Sequence, residues 1–239
     1  MIAMILAAGL GTRLKPWTDA HPKALAVVNG KPVLQRNIEY LQHAGIKRVV
    51  VNVHHFADQI IAAVEANNGW GSEVLISDET DEVLETGGGI KKAVPLFGDD
   101  KDVLVMNADI LTDMNLQAFM QTHANTKADA TLAVSNRSSS RCFLFDAQQQ
   151  LVGWRNKNTG ETKLPVATDT PIEKSFSGIH IINESIFRHM PFEGKFSMVE
   201  VYLQLCATHR IQSFDHSGSQ FIDIGTMEKL AQAADMFND

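Results

Sequence analysis

Three observations predict an α/β fold built on a doubly wound sheet. Short apolar runs alternate with segments of helical period through the first 136 residues. The chain has 239 residues and is 44% hydrophobic, enough to bury a full core as one large domain or as one domain with a small appendage. From about residue 137 the rhythm changes, and a hairpin with a polar stretch interrupts the alternation.

Ala3 to Ala8 is short, apolar and stops at Gly9, as expected of a central parallel strand covered on both faces. Pro32 falls where a first-turn proline is tolerated, and Leu34, Ile38 and Leu41 recur at helical spacing until Gly45. Arg48 to Val53 reads as strand. Phe56, Ile60 and Val64 then share a helical face before Gly69, and Glu73 to Ser77 supplies a third short strand. Gly87 to Val94 opens a helix, Val103 to Met106 is a buried strand, Leu116 to His123 a helix and Ala130 to Val134 a strand. Arg141 to Phe145 and Leu151 to Arg155 pair as a hairpin. The polar stretch from Asn156 to Lys174, with Pro165 and Pro171, reads as a flexible lid. Strand Ile179 to Ile182, helix Val199 to Thr208, strand Ile211 to Phe214 and helix Met227 to Phe237 complete the series.

A formal net charge of −7 argues against nucleic acid as a partner. Residues 1 to 31 nevertheless carry Arg13, Lys15, Lys23 and Lys31 against Asp19 alone, a local positive island that would focus a small polyphosphate. No apolar stretch approaches the roughly 20 residues that span a bilayer, and the N-terminus opens directly into a strand, so a membrane is not expected and a cytoplasmic location is. Cys142 and Cys206 lie far apart in apolar surroundings and read as buried reduced thiols.

The most specific chemistry is at Leu6-Ala7-Ala8-Gly9-Leu10-Gly11-Thr12-Arg13-Leu14, followed by Pro22-Lys23. Gly9 and Gly11 let backbone N–H groups approach phosphate oxygens, with fixed cations alongside. A Walker-type loop is excluded because Gly11 is followed by Thr12-Arg13 rather than by lysine and Ser/Thr. A dinucleotide fingerprint lacks its third glycine, where Leu14 stands, and its acidic residue, where Asn29 and Gly30 stand. Asp109 and Asp223 each follow an apolar strand, at the edge where open α/β sheets bind ligands.

With Leu84-Glu85-Thr86-Gly87-Gly88-Gly89, Asn107-Ala108-Asp109, Phe176-Ser177-Gly178-Ile179 and Phe221-Ile222-Asp223-Ile224-Gly225-Thr226 in order behind the glycine loop, the chain resembles the sugar-1-phosphate nucleotidyltransferase family over almost its whole length. The Glu-Thr-Gly-Gly-Gly and Phe-Ser-Gly-Ile segments are most similar to its bacterial N-acetylmuramate 1-phosphate uridylyltransferases. That resemblance implies a Rossmann-like doubly wound mixed sheet of the nucleotide-diphospho-sugar transferase type with a small β-hairpin and lid insertion. It implies a single monofunctional domain over residues 1–239, with residues 1–136 mainly binding nucleotide and 137–239 mainly binding sugar. Oligomeric state is left open.

The implied reaction is attack by a sugar 1-phosphate oxygen on the α-phosphorus of a nucleoside triphosphate, expelling pyrophosphate, with Mg²⁺ as cofactor and no protein nucleophile. UTP and N-acetylmuramate 1-phosphate are the expected substrates, in cell-wall sugar recycling or activation. Mannose- or heptose-1-phosphate guanylyl transfer is the alternative within the family, and a non-catalytic nucleotide-sugar sensor the alternative outside it. By the same resemblance, Leu6, Ala8, Gly9, Gly11, Thr12, Arg13, Lys23, Thr86, Gly88 and Asn107 contact the nucleotide. Arg13 and Lys23 are the catalytic cations, Arg13 for the β- and γ-phosphates and Lys23 for the α-phosphate. Asp109 and Asp223 hold the metal. Relatives often have glycine where Ala108 stands, and guanylyl and thymidylyl relatives have one where Glu85 stands. Thr86 and the glycines after it have a second reading, as a helix cap and close packing.

Asp109, Glu173, Lys174, Ser177 and Gly178 are the expected sugar contacts. Only Ser175 and Phe176 separate Glu173-Lys174 from Ser177, closer than in many relatives, so Glu173 and Lys174 are either sugar ligands or part of an edge strand. Trp154 reads as hairpin packing more than as a sugar platform, and His54 and His55 as helix-entry or core residues.

Overall fold

The computed structural model describes residues 1–237. The first half contains β1 (Ile2–Leu6), β2 (Val27–Val28), β3 (Lys31–Pro32), α1 (Val33–His43), β4 (Arg48–Val53), α2 (Ala57–Ala66), β5 (Glu73–Asp78), α3 (Glu85–Ala93), β6 (Asp102–Asn107), β7 (Ile110–Thr112) and α4 (Leu116–Thr126). Then follow β8 (Ala130–Ser135), β9 (Arg141–Phe145), β10 (Leu151–Asn156), β11 (Thr162–Lys163), β12 (Ile172–Asn183), α5 (Glu184–Arg188), α6 (Met198–Leu205), β13 (Ile211–Asp215), β14 (Phe221–Asp223) and α7 (Met227–Met236).

Ten strands form one mixed sheet in the order β11-β10-β9-β12-β6-β1-β4-β5, with β8 paired to β12 and β13 to β8. β1 runs parallel to β4 and β6, so Ile5 lies between Val51 and Met106. β12 runs antiparallel to β6, β8 and β9, which makes the sheet mixed. Successive residues of β1 feed opposite cores: Ile2 and Met4 face a cluster with Ile90, Tyr202 and Leu205, and Ala3 and Ile5 face one with Leu34, Ile60 and Phe119. The sheet is therefore doubly wound, with α3 and α6 on one face and α1, α2 and α4 on the other. A third cluster of Leu14, Val28, Val33, Leu111, Ile222, Ile224 and Ala233 underlies the glycine loop. It anchors the residues on either side of Asp223.

The α/β alternation and the hairpin β9–β10 lie where the sequence places them. The expected lid is different. Thr162 and Lys163 pair with Arg155 and Trp154, and β12 already begins at Ile172, so both ends of the 156–174 stretch are sheet. Lys163 lies over the Trp154 ring at 5.8 Å, consistent with Trp154 as hairpin packing. Cys142 and Cys206 are buried free thiols. Among the described residues, no helix is long and apolar enough to cross a membrane.

His180 is buried at the centre of the sheet, where its Nδ1 and the Tyr202 hydroxyl share a 2.5 Å hydrogen bond. Desolvation lowers its pKa to about 3, from an ordinary value of about 6.5. A base that cannot charge in the folded state binds its proton only on unfolding. Its contribution is therefore complete above about pH 6.5 and is progressively lost as pH falls toward about 3. Urea midpoints should fall as pH drops from 7 to 5, and His180→Asn should flatten that dependence.

Candidate active site

The loop after β1 turns through Gly11, whose φ of +62° is left-handed and whose carbonyl accepts bonds from Leu14 N at 2.9 Å and Thr18 Oγ1 at 3.0 Å. A Cβ on Gly11 would lie 2.8 Å from Thr18, so only glycine fits this turn. The loop forms one wall of a cleft of about 320 Å³ at the carboxyl ends of the parallel strands. Leu6, Ala8, Gly9, Gly11, Thr12, Arg13, Lys23, Thr86, Asn107 and Asp109 all line it, residues drawn from four separate stretches of sequence. Asn52 fastens the loop's start by accepting from Ala7 N at 2.7 Å.

Asp109 and Asp223 come from the small β7–β14 ladder, in which Asp223 pairs with Ile110 and Ile224 N donates to the Asp109 carbonyl at 2.7 Å. The backbone around two acids more than a hundred residues apart is thus joined, with Asp109 just before β7 and Asp223 at the end of β14. The Asp109 carboxylate is paired with the Lys23 ammonium, and that of Asp223 with Lys229, a partner absent from the sequence-based expectation. Asp223 Oδ1 and the Arg13 guanidinium both abut Gly225: a Cβ there would sit 3.3 Å from the first and 3.4 Å from the second. Arg13, Lys23 and Asp109 therefore line the cleft together, while Asp223 stands outside the lining, against the cleft residue Gly225.

Among the described residues, no group of three or more His, Cys, Asp and Glu is arranged to hold a metal ion. The protein's offer is two carboxylates, a hard-oxygen set that suits Mg²⁺, which keeps several waters and takes its remaining ligands from substrate phosphates. Both carboxylates already carry an ammonium, which a divalent ion would replace.

The remaining expected contacts are placed differently. Gly88 does not line the cleft, and a Cβ on it would lie 2.2 Å from the Gly194 carbonyl oxygen, so close packing accounts for this glycine. Thr86 lines the cleft and also accepts from Met198 N at 3.0 Å, capping α6 rather than its own helix. Ser177 is buried with its hydroxyl 2.7 Å from His216 Nε2. Gly178, at φ +68°, leaves room for Asn107, whose Nδ2 would lie 2.6 Å from a Cβ there. That contact joins the expected sugar segment to the nucleotide cleft. Glu173 and Lys174 stand apart from the lining, inside β12 opposite Leu144 and Phe143. Glu173 is paired with Arg155 at 2.6 Å and Lys157 at 2.7 Å, and the Lys157 hydrogen bond foremost holds its carboxyl below the usual range. Lys174 bonds Asn136 Oδ1 and Asp215.

One acidic cleft residue escaped sequence reasoning. Glu79 is fully buried, accepting from Asn52 Nδ2 at 2.6 Å and Leu84 N at 3.2 Å, and so links the ends of β4 and β5 to the entry of α3. Nothing local marks it, because its partners are distant in sequence. Glu85 lines the cleft at φ +60°. This left-handed backbone is one that glycine adopts more readily than glutamate. The conformation costs an L-residue about 1–2 kcal/mol, against about 0.5–1 kcal/mol for glycine's greater loss of freedom on folding. Glu85→Gly should therefore stabilise the fold by up to about 1 kcal/mol, read as a higher urea midpoint.

A model of the nucleotidyl transferase family matches residues 2–143. The chain is similar to the N-acetylmuramate alpha-1-phosphate uridylyltransferase of Caulobacter vibrioides, with 33% identity over 88% of this chain and 86% of that one. Its similarity to the enzyme of the same name from Neisseria meningitidis serogroup B is 30% over 98% and 96% of the two chains. The crystal structure of HddC from Yersinia pseudotuberculosis complexed with GMP-PN superposes with a TM-score of 0.78 at 27% identity, covering 99% of each chain. These matches establish that the chain belongs to the nucleotidyl transferase family and is a sugar-1-phosphate nucleotidyltransferase.

Proposed function

We propose that the protein transfers a uridylyl group from UTP to N-acetylmuramate 1-phosphate, in the cytoplasm and with Mg²⁺, to form the UDP-sugar and pyrophosphate for cell-wall sugar recycling. The observation that carries the chemistry is the gathering of Arg13, Lys23 and Asp109 in the glycine-loop cleft, with Asp223 against its Gly225 wall. The choice of base and sugar is supported by the names of the two relatives at 30% identity or more.

In this reading the loop from Gly9 to Thr12 receives the triphosphate with backbone N–H groups. Arg13 meets the β- and γ-phosphates with a planar fork and stabilises the charge that gathers on pyrophosphate as its bond to the α-phosphorus breaks. Lys23 delivers a point charge to the α-phosphate as the sugar-phosphate oxygen bonds to it. Asp109 and Asp223 would hold Mg²⁺, which would supply charge neutralisation at the phosphate oxygens. Asn107, packed on Gly178, holds the two substrate segments in register. Positioning and charge, without a covalent intermediate, account for the catalysis.

A guanylyl reading has its own support, since HddC was solved with GMP-PN and a heptose 1-phosphate guanylyltransferase from Aneurinibacillus thermoaerophilus is 27% identical over 98% of this chain. Pyrophosphate release measured for four nucleoside triphosphates crossed with a panel of sugar 1-phosphates separates the two. Turnover with UTP and N-acetylmuramate 1-phosphate is expected; turnover with GTP alone overturns the uridylyl assignment.

A further inference from the structure

Arg137 follows β8 on the sugar side of the sheet, and the function so far gives it no work. Its guanidinium is mounted rather than loose: Nη2 donates to the Phe176 carbonyl at 2.5 Å, and Cζ sits 5.0 Å from the centre of the Phe221 ring. Its own carbonyl accepts from Ser175 Oγ at 2.7 Å, fixing the backbone beneath it. These contacts set it between two functional segments, since Phe176 precedes Ser177-Gly178 and Phe221 stands two residues before Asp223.

The group also has no direct salt bridge, although the Asp223 carboxylate is near enough to attract its charge. Its contacts are a carbonyl and an aromatic face, and among the described residues no carboxylate reaches salt-bridge distance. The acids nearby are committed elsewhere, Asp223 to Lys229 and Asp215 to Lys174. Behind it, buried His216 leaves Nδ1 without a partner, and desolvation lowers its pKa, so the neutral imidazole adds no competing positive charge. A rigid cation with Nε and Nη1 free, beside the segment expected to hold the sugar, suits a carboxylate presented by a ligand. Pre-ordering by Phe176 and Phe221 cuts the entropy lost when that ligand binds.

We propose that Arg137 is a specificity-determining residue that pairs with a carboxylate on the acceptor sugar, so that the acceptor is an acidic amino sugar 1-phosphate rather than a neutral hexose. This deepens the reading given above and rests on it: the lactyl ether of N-acetylmuramate carries the carboxylate that N-acetylglucosamine lacks.

The test measures kcat and KM with UTP for N-acetylmuramate 1-phosphate and N-acetylglucosamine 1-phosphate, in the wild type, Arg137→Gln and Arg137→Lys. The wild type should prefer the acidic sugar by about tenfold or more, as expected for a hydrogen-bonded charge pair. Arg137→Gln should raise KM for that sugar by about 10- to 100-fold and leave both constants for the neutral sugar unchanged, with Arg137→Lys in between. Unchanged neutral-sugar kinetics also report that the variant is folded. A preserved preference in Arg137→Gln, or a wild type that uses both sugars equally, overturns the proposal while leaving uridylyl transfer intact. A wild type that releases no pyrophosphate from UTP with either sugar overturns the underlying reading and the proposal with it.

Discussion

Replacing Asp223 by Asn should lower kcat/KM by about 10³-fold, the equivalent of several kcal/mol of charge stabilisation at the phosphate oxygens. The protein should remain folded. Asp223 pairs with Lys229, and side chains 32% and 39% exposed form a solvent-screened bridge that contributes at most about 1 kcal/mol. The neighbouring Ile222 and Ile224 carry the packing of this segment and are untouched by the change. Stability and turnover should therefore separate: the urea midpoint stays near the wild-type value, while Mn²⁺ titrated into the protein with a non-hydrolysable triphosphate binds more weakly. Full turnover of Asp223→Asn at ordinary magnesium would remove Asp223 from the metal site.

How far the site was legible depended on where each residue's partners lie. β1, β4 and β6 are buried on both faces, so their apolar runs announce themselves locally, and the glycine loop advertises a backbone conformation that few other residues adopt. The 156–174 stretch misleads because its order comes from pairing: Thr162-Lys163 and Ile172–Lys174 are polar or mixed, and only β9 and β10 make them strand. Long-range ladders have the same opacity. No local pattern shows that Asp223 pairs with Ile110, and the two acids were linked through family motifs before the β7–β14 ladder gave the physical reason. Lys229 was missed because a lysine in an amphipathic helix reads as solvated, although its ammonium is spent on a functional carboxylate. At Gly88 and Thr86 the sequence offers close packing and capping as a second reading, but not the partners that decide it, since Gly194 and Met198 lie a hundred residues away.

Lys23→Met should lower kcat by about 10²–10³-fold, the range seen when a preorganised donor to developing charge is removed. Lys23 is well placed for this because Pro22 precedes it at the start of a short helical turn over Lys23–Leu25, which leaves its stem only 14% exposed beside the cleft. Its ammonium pairs with Asp109, the carboxylate that would help hold Mg²⁺ in the proposed reaction. A divalent ion held there would weaken that pairing and leave the Lys23 ammonium to exchange its carboxylate partner for the α-phosphate. Lys23 and Asp109 then act as one unit, so their effects cannot be additive. Asp109→Asn alone should be nearly as inactive as Lys23→Met with Asp109→Asn, and Lys23→Arg should rescue little, because a planar fork does not follow a single phosphate oxygen as a point charge does. Single-turnover rates of uridylyl transfer for the two single variants and the double variant decide the matter. Losses that multiply would mean that lysine and aspartate serve different steps, and the exchange of partners would have to be abandoned.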